Sequence, residues 1–171
     1  MIYFVVVIFI ILLPLAIAGF SLAPWVPTRN RDLSRIVALA ELKSNDVFVE
    51  LGSGNGRVVS YVAQHSSAQC IGVERAWPLY LISRLLLWHN KIPNARIVLG
   101  DLFKYDLHDA TVIFVFGMPK PMKERLAQKI KTECKPGTRI LSYSFHLRGL
   151  LDPVISDKPD PQSLSIYVYT L

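Results

Sequence analysis

The run Glu50-Leu51-Gly52-Ser53-Gly54-Asn55-Gly56 follows the apolar stretch Val47-Phe48-Val49. A strand entering a glycine-rich turn and then a helix is a nucleotide-binding geometry. Its glycines permit positive φ and let the backbone approach a ligand closely. The spacing narrows the ligand. A dinucleotide fingerprint would place a glycine at 57, where this chain has Arg57. A carboxylate two places before the turn repels a pyrophosphate and suits a cation. S-adenosylmethionine (SAM) carries a sulfonium and an ammonium and has no phosphate, so the turn favours SAM over NAD or ATP.

Two further acids fall at the ends of apolar runs, Glu74 after Cys70-Ile71-Gly72-Val73 and Asp101 after Arg96-Ile97-Val98-Leu99-Gly100. In a parallel sheet the strand ends line one edge, so the three carboxylates converge on one crevice. Glu50 is expected to face the ligand ammonium, directly or through water. Glu74 has the spacing of an acid that takes ribose hydroxyls. Asp101 is expected to accept from the adenine amino group, with Leu102 and Phe103 covering the ring. The bland reading of Asp101 is a cap on the turn that follows it. Gly52, Ser53, Gly54, Asn55 and Gly56 complete the expected cofactor set.

These residues need strands to carry them. The pattern predicts β-strands at 47–51, 70–74, 96–99, 111–116 and 139–143, with two more near 153–156 and 165–170. Helices are expected at about 32–42 (capped by Asp32), 56–64, 78–89 and 121–134. In the last of these, Met122, Leu126, Ile130 and Cys134 form the apolar stripe, and Lys120, Lys123, Lys129 and Lys131 the outer face. Alternating strands and helices imply an α/β, Rossmann-like, doubly wound and mostly parallel sheet.

The chain has 171 residues, 51% of them hydrophobic, with 19 basic and 13 acidic side chains and net charge +6. Residues 1–28 hold no Asp, Glu, Lys or Arg, and Ile2 to Phe20 is almost wholly apolar. At 1.5 Å per residue that run spans roughly 28 Å, about one bilayer core. A transmembrane anchor fits better than a secretory signal, despite the cleavage-like Ala16-Ile17-Ala18, because no basic region precedes it. It also fits better than a buried helix, which would not need this length. The expected division is anchor and exit linker at 1–28 and catalytic domain at 29–171. Arg29, Arg31 and Arg35 follow the span, so the positive-inside rule places the domain on the cytoplasmic or matrix side. The two cysteines lack metal-ligand spacing, and no metal is expected.

The order of these motifs over residues 46–145 resembles the class I SAM-dependent methyltransferases. A closer likeness rests on Val49 to Arg57, Gly72-Val73-Glu74, Ser83-Arg84, Gly100 to Phe103 and Val115-Phe116-Gly117-Met118-Pro119. These resemble the small membrane-anchored protein-lysine methyltransferases that modify the adenine nucleotide translocase and the ATP-synthase c-subunit. That family most often has aspartate at position 50, and Asn-Pro where this chain has Arg75-Ala76.

The resemblance implies SAM as cofactor, a membrane-proximal protein with an accessible lysine as substrate, and no nucleic-acid partner. It places Met118, Pro119, Tyr143 and Phe145 beside the reacting methyl, and no residue is identified as catalytic. A lipid amine or another small molecule as acceptor, or a SAM-binding protein without activity, remain the alternatives. The Asp/Asn-Pro-Pro-Tyr/Phe motif of adenine and glutamine N-methyltransferases is replaced here by Gly117-Met118-Pro119-Lys120.

Overall fold

The computed structural model describes residues 26–117, 125–147, 149–150 and 152–171. Seven strands form one sheet: β1 (Val47–Leu51), β2 (Gln69–Glu74), β3 (Ala95–Leu99), β4 (Val112–Val115), β5 (Arg139–Tyr143), β6 (Ile155–Asp157) and β7 (Ile166–Thr170). Their order is β3-β2-β1-β4-β5-β7-β6. The first five are parallel, and β7 runs antiparallel to both β5 and β6. The strand order reverses between β1 and β4, which opens a crevice outside their carboxyl ends.

Among the described residues four α-helices cover the sheet: α1 (Leu33–Ala40), α2 (Arg57–Gln64), α3 (Trp77–His89) and α4 (Ala127–Glu133). Alternation along β1 divides the core. Phe48 joins Ile36, Val59, Val62 and Leu87 on the side of α1, α2 and α3. Val49 and Leu51 join Leu107, Leu126 and Ile130 on the side of α4. Between β3 and β4 the chain crosses by turns alone. β4 is shorter than its apolar run because Thr111 serves the ladder through its side chain. Its hydroxyl donates to Asp46 and accepts from the Val47 amide.

Three expectations about side chains are corrected. Asp32 makes no side-chain cap on α1. It is buried, accepts the Tyr143 hydroxyl at 2.6 Å and pairs with Arg35 at 2.6 Å. Arg35 continues to Asp157, the last residue of β6. Lys129 does not lie on an outer basic face. It is buried and its ammonium sits 2.6 Å from both oxygens of Glu133, a partner one turn away that its apolar surroundings require. Tyr143 is fully buried.

The N-terminal approach to α1 is braced. Arg29 and Arg31 donate to the Gln162 carbonyl, and Arg57 donates to the Thr28 carbonyl at 3.0 Å. Among the described residues no helix is long and apolar enough to cross a membrane. The expected span at 2–20 lies outside them, as do Met118, Pro119, Lys120, Met122 and Lys123.

Candidate cofactor and methyl-acceptor site

The turn after β1 is built by backbone that side chains rarely adopt. Gly52, Gly54 and Gly56 have φ of 79°, 55° and 75°. The amides of Gly52 and Ser53 both donate to the Val73 carbonyl, tying the turn to β2. Two approaches leave no room for a Cβ. One added to Gly56 would stand 2.6 Å from the Ser83 Cβ, and one added to Gly72 would stand 2.8 Å from the Ser53 side chain. The Ser53 hydroxyl is buried with no protein partner. A buried hydroxyl without a partner at the head of a ligand turn is a group awaiting a ligand atom.

The acids take distinct positions. Glu74 accepts the Gly54 amide on one carboxylate oxygen and the Ala76 amide on the other, both at 2.7 Å. Each oxygen keeps a second lone pair, so the backbone bonds aim the carboxylate and leave it able to take two hydroxyls. Glu50 is buried beneath the turn and accepts the Val59 amide at 2.8 Å, inside the first turn of α2. Asp101, at the end of β3, accepts the Phe103 amide at 2.9 Å and stands 3.6 Å from Arg75. The turn cap weighed for Asp101 is thus present, and its second oxygen lies toward a cation. Leu102 points into the core instead of outward. The half-buried ring beside it is Phe103, with the Arg125 guanidinium 3.9 Å from its centroid. Asn55 is half-buried on the turn itself.

Burial raises the carboxyl of Glu50 well above the usual range. The Val59 bond opposes the rise and the neighbouring Glu74 adds to it. Burial raises Glu74 as well, opposed by its backbone donors. Two such carboxyls under one turn form a site that gains from an arriving cation.

Across the crevice, the ends of β4 and β5 carry rings. Phe116 stacks on Phe145 with centroids 6.3 Å apart. Tyr143 meets Phe116 edge-on from below, its hydroxyl spent on Asp32. Burial, with Asp32 beside it, raises that phenol. Tyr143 therefore supports the wall and does not line an open pocket. Ser144 has φ of 73°, uncommon for a side-chain-bearing residue, and turns the chain so that Phe145 and His146 stand at the strand end. The Nδ1 of His146 is buried without a protein partner, and its ring lies edge-on to Tyr167 and Tyr169. The sequence places Tyr143 to His146 at this edge. It gives no sign of the left-handed turn, because serine carries no such preference.

One group among the described residues, Asp106, His108 and Glu133, brings three metal-capable atoms within 4.8 Å of one another. Lys129 already pairs with Glu133, and the Nδ1 of His108 lies 2.5 Å from Asp106. The thiols of Cys70 and Cys134 are free and pushed up to about 11, chiefly by burial.

Comparison with known proteins agrees with this geometry. A protein-lysine N-methyltransferase of Saccharolobus islandicus is 29% identical over 86% of this chain and 93% of its own length. The adenine nucleotide translocase lysine N-methyltransferase of Mus musculus is 29% identical over 72% of this chain and 54% of its own. A crystal structure of an RNA methyltransferase from Salinibacter ruber, in complex with S-adenosyl-L-homocysteine, superposes with a TM-score of 0.78. It is 28% identical and spans 85% of this chain and 93% of that one. These likenesses support a Rossmann-like methyltransferase fold and SAM as the cofactor. The ANTKMT methyltransferase domain matches residues 50–153, more than half of the sequence. This chain belongs to that family and is a SAM-dependent methyltransferase.

Proposed function

We propose that this protein methylates the side-chain amine of lysine in a membrane or membrane-proximal protein. The observation that carries the reading is the contrast across the crevice: buried carboxyls under the glycine turn, and on the other side the stacked rings of Phe116 and Phe145 over a tyrosine held by Asp32. SAM supplies a methyl group already activated on a positive sulfur.

What remains for the chain is binding and positioning. Glu74 takes the ribose hydroxyls, Asp101 the adenine amino group, and Phe103 flanks the adenine over Leu102. Glu50 sets a negative charge below Gly52–Gly56 once ionised, against the ligand ammonium. Ser53 offers its hydroxyl to the same ligand, and Asn55 borders it.

The acceptor nitrogen must arrive neutral, although lysine ordinarily titrates near 10.4. An apolar wall of Phe116 and Phe145, facing a cation, lowers that value and presents the lone pair. Rings also hold an alkylammonium by its charge as it approaches. As the nitrogen bonds to the methyl carbon, the carbon–sulfur bond breaks with its pair left on sulfur. The amine then loses one proton. That proton passes to water. The resemblance adds Met118 and Pro119, which lie outside the described residues, to the acceptor side. The uncharged segment 1–28 would anchor the domain on the cytoplasmic or matrix face of its membrane. Support for lysine comes from the two relatives named as lysine methyltransferases.

The test incubates the full chain with tritiated SAM and a membrane fraction. Label on protein, mapped to lysine by mass spectrometry, supports the reading. Label in the organic extract would move the acceptor to a lipid amine. Label in RNA, the acceptor class named for the Salinibacter neighbour, would replace the reading. Binding of SAM with no transfer to any fraction would leave a sensor.

A further inference from the structure

We propose that the outward face of α3 docks on an anionic lipid surface, a second membrane contact besides the N-terminal segment. Helix α3 buries Leu79, Ser83 and Leu87 and turns four large apolar side chains outward. Leu81 is 51% exposed, Ile82 54%, Leu85 62% and Trp88 76%. Positions 81, 85 and 88 form one stripe along the helix. Contiguous exposed apolar surface of this kind marks an interaction site on a soluble domain.

Charge identifies the occupant. Between Glu74 and Asp101 the sequence has no acid, and it has Arg75, Arg84, Lys91 and Arg96. Of these, Arg84, Lys91 and Arg96 line a cleft beside the apolar stripe, together with Tyr80 and Trp88. Aliphatic residues, an exposed tryptophan and unopposed cations are the composition of a surface lying in the headgroup region of a bilayer. A second copy docked about a two-fold axis would set these cations against themselves. The apolar segment before Thr28 could cover the stripe and would leave the cations unmatched.

Position agrees with charge. Gly56 abuts Ser83 in the middle of α3, and the next residue, Arg57, holds the Thr28 carbonyl. The inward face of the helix therefore packs on the turn whose next residue holds the chain at Thr28. The inference does not depend on which molecule accepts the methyl group.

The test uses the full chain on phosphatidylserine–phosphatidylcholine vesicles with brominated acyl chains, which quench tryptophan at the membrane. The chain has three tryptophans, so the signal of Trp88 is the difference between wild type and Trp88→Phe. The expected result is at least a twofold quenching of that component. Charge reversal by Arg84→Glu with Lys91→Glu, or raised salt, should lower it roughly threefold, as screening of surface charge requires. An unchanged SAM Kd in each variant shows that the fold is intact. A chain that floats with the vesicles while Trp88 stays unquenched is held by its N-terminal segment alone, and overturns the proposal. So does quenching that ignores lipid charge and charge reversal. Shielding of Trp88 that follows protein concentration instead of lipid would assign the face to a second copy.

Discussion

The two sides of the crevice are built on different principles. Around β1 and β2 the backbone and the acids are tied together: Val73 to two turn amides, Glu74 to two more, Glu50 to α2, with the Ser53 hydroxyl left unspent. Around β4 and β5 the wall is aromatic, resting on a buried tyrosine, with one histidine nitrogen unspent. The first side is preorganised for one invariant ligand, by backbone that only certain residues permit. The second fixes an apolar shape, which many side chains could supply. That difference explains why the cofactor was easier to read than the acceptor.

The sharpest way to break the comparison is Glu74→Ala. It removes the brace on Gly54 and the carboxylate proposed to accept two ribose hydroxyls. Hydrogen bonds to a charged group contribute about 1.5–3 kcal/mol each, so SAM should bind roughly 100-fold more weakly by calorimetry. An unchanged Kd would show that the committed side is not what holds the cofactor. Next is Gly56→Ala, which places a Cβ against Ser83 on a backbone of positive φ. Left-handed strain and overpacking together should cost about 2–4 kcal/mol in urea denaturation.

The acceptor wall should respond differently. Tyr143→Phe leaves Asp32 short of a donor and should lower stability by about 1–2 kcal/mol while SAM binding stays as it was. Phe145→Ala should raise the acceptor KM several-fold, again at unchanged SAM Kd. Loss of cofactor affinity in either variant would mean that the two sides are not separable.

The smallest effect is a pH dependence. The folded value for Glu50 is raised, so its contribution to stability is full below the unfolded carboxylate value, about 4.3. That contribution is lost as pH rises through the folded value. Across that window the ligand-free wild type should lose melting temperature relative to Glu50→Gln. Saturating SAM should narrow the gap, because a cation favours the ionised acid. A parallel pair of curves would remove the charge argument for Glu50.

How much of this was legible follows from the same physics. The bounds of β1 and β5 could be read directly, because each is a short apolar run stopped by turn residues. The glycine turn was legible because few residue types tolerate its φ values. Three features were not. Asp32 looks like a helix cap, and Lys129 like a surface charge. Tyr143 looks like a pocket residue. Asp32 and Tyr143 are decided by each other across 111 residues, and Lys129 by the burial of its side of the helix. Sequence periodicity marks which face a residue occupies, not which distant partner waits there.

The arginines at the N-terminal approach have a mechanical consequence. If residues 1–28 tether the domain, any pull arrives along the backbone at Thr28. It meets Arg57 on the Thr28 carbonyl, then Arg29 and Arg31 on Gln162, before it reaches Asp32 and the tyrosine beneath the acceptor wall. The arrangement is that of a strain relief on a cable, with the load taken up in the sheath ahead of the working contact. Pulled from residue 26 in a force spectrometer, the chain should yield first at these braces, while the rings of the wall keep their stacking.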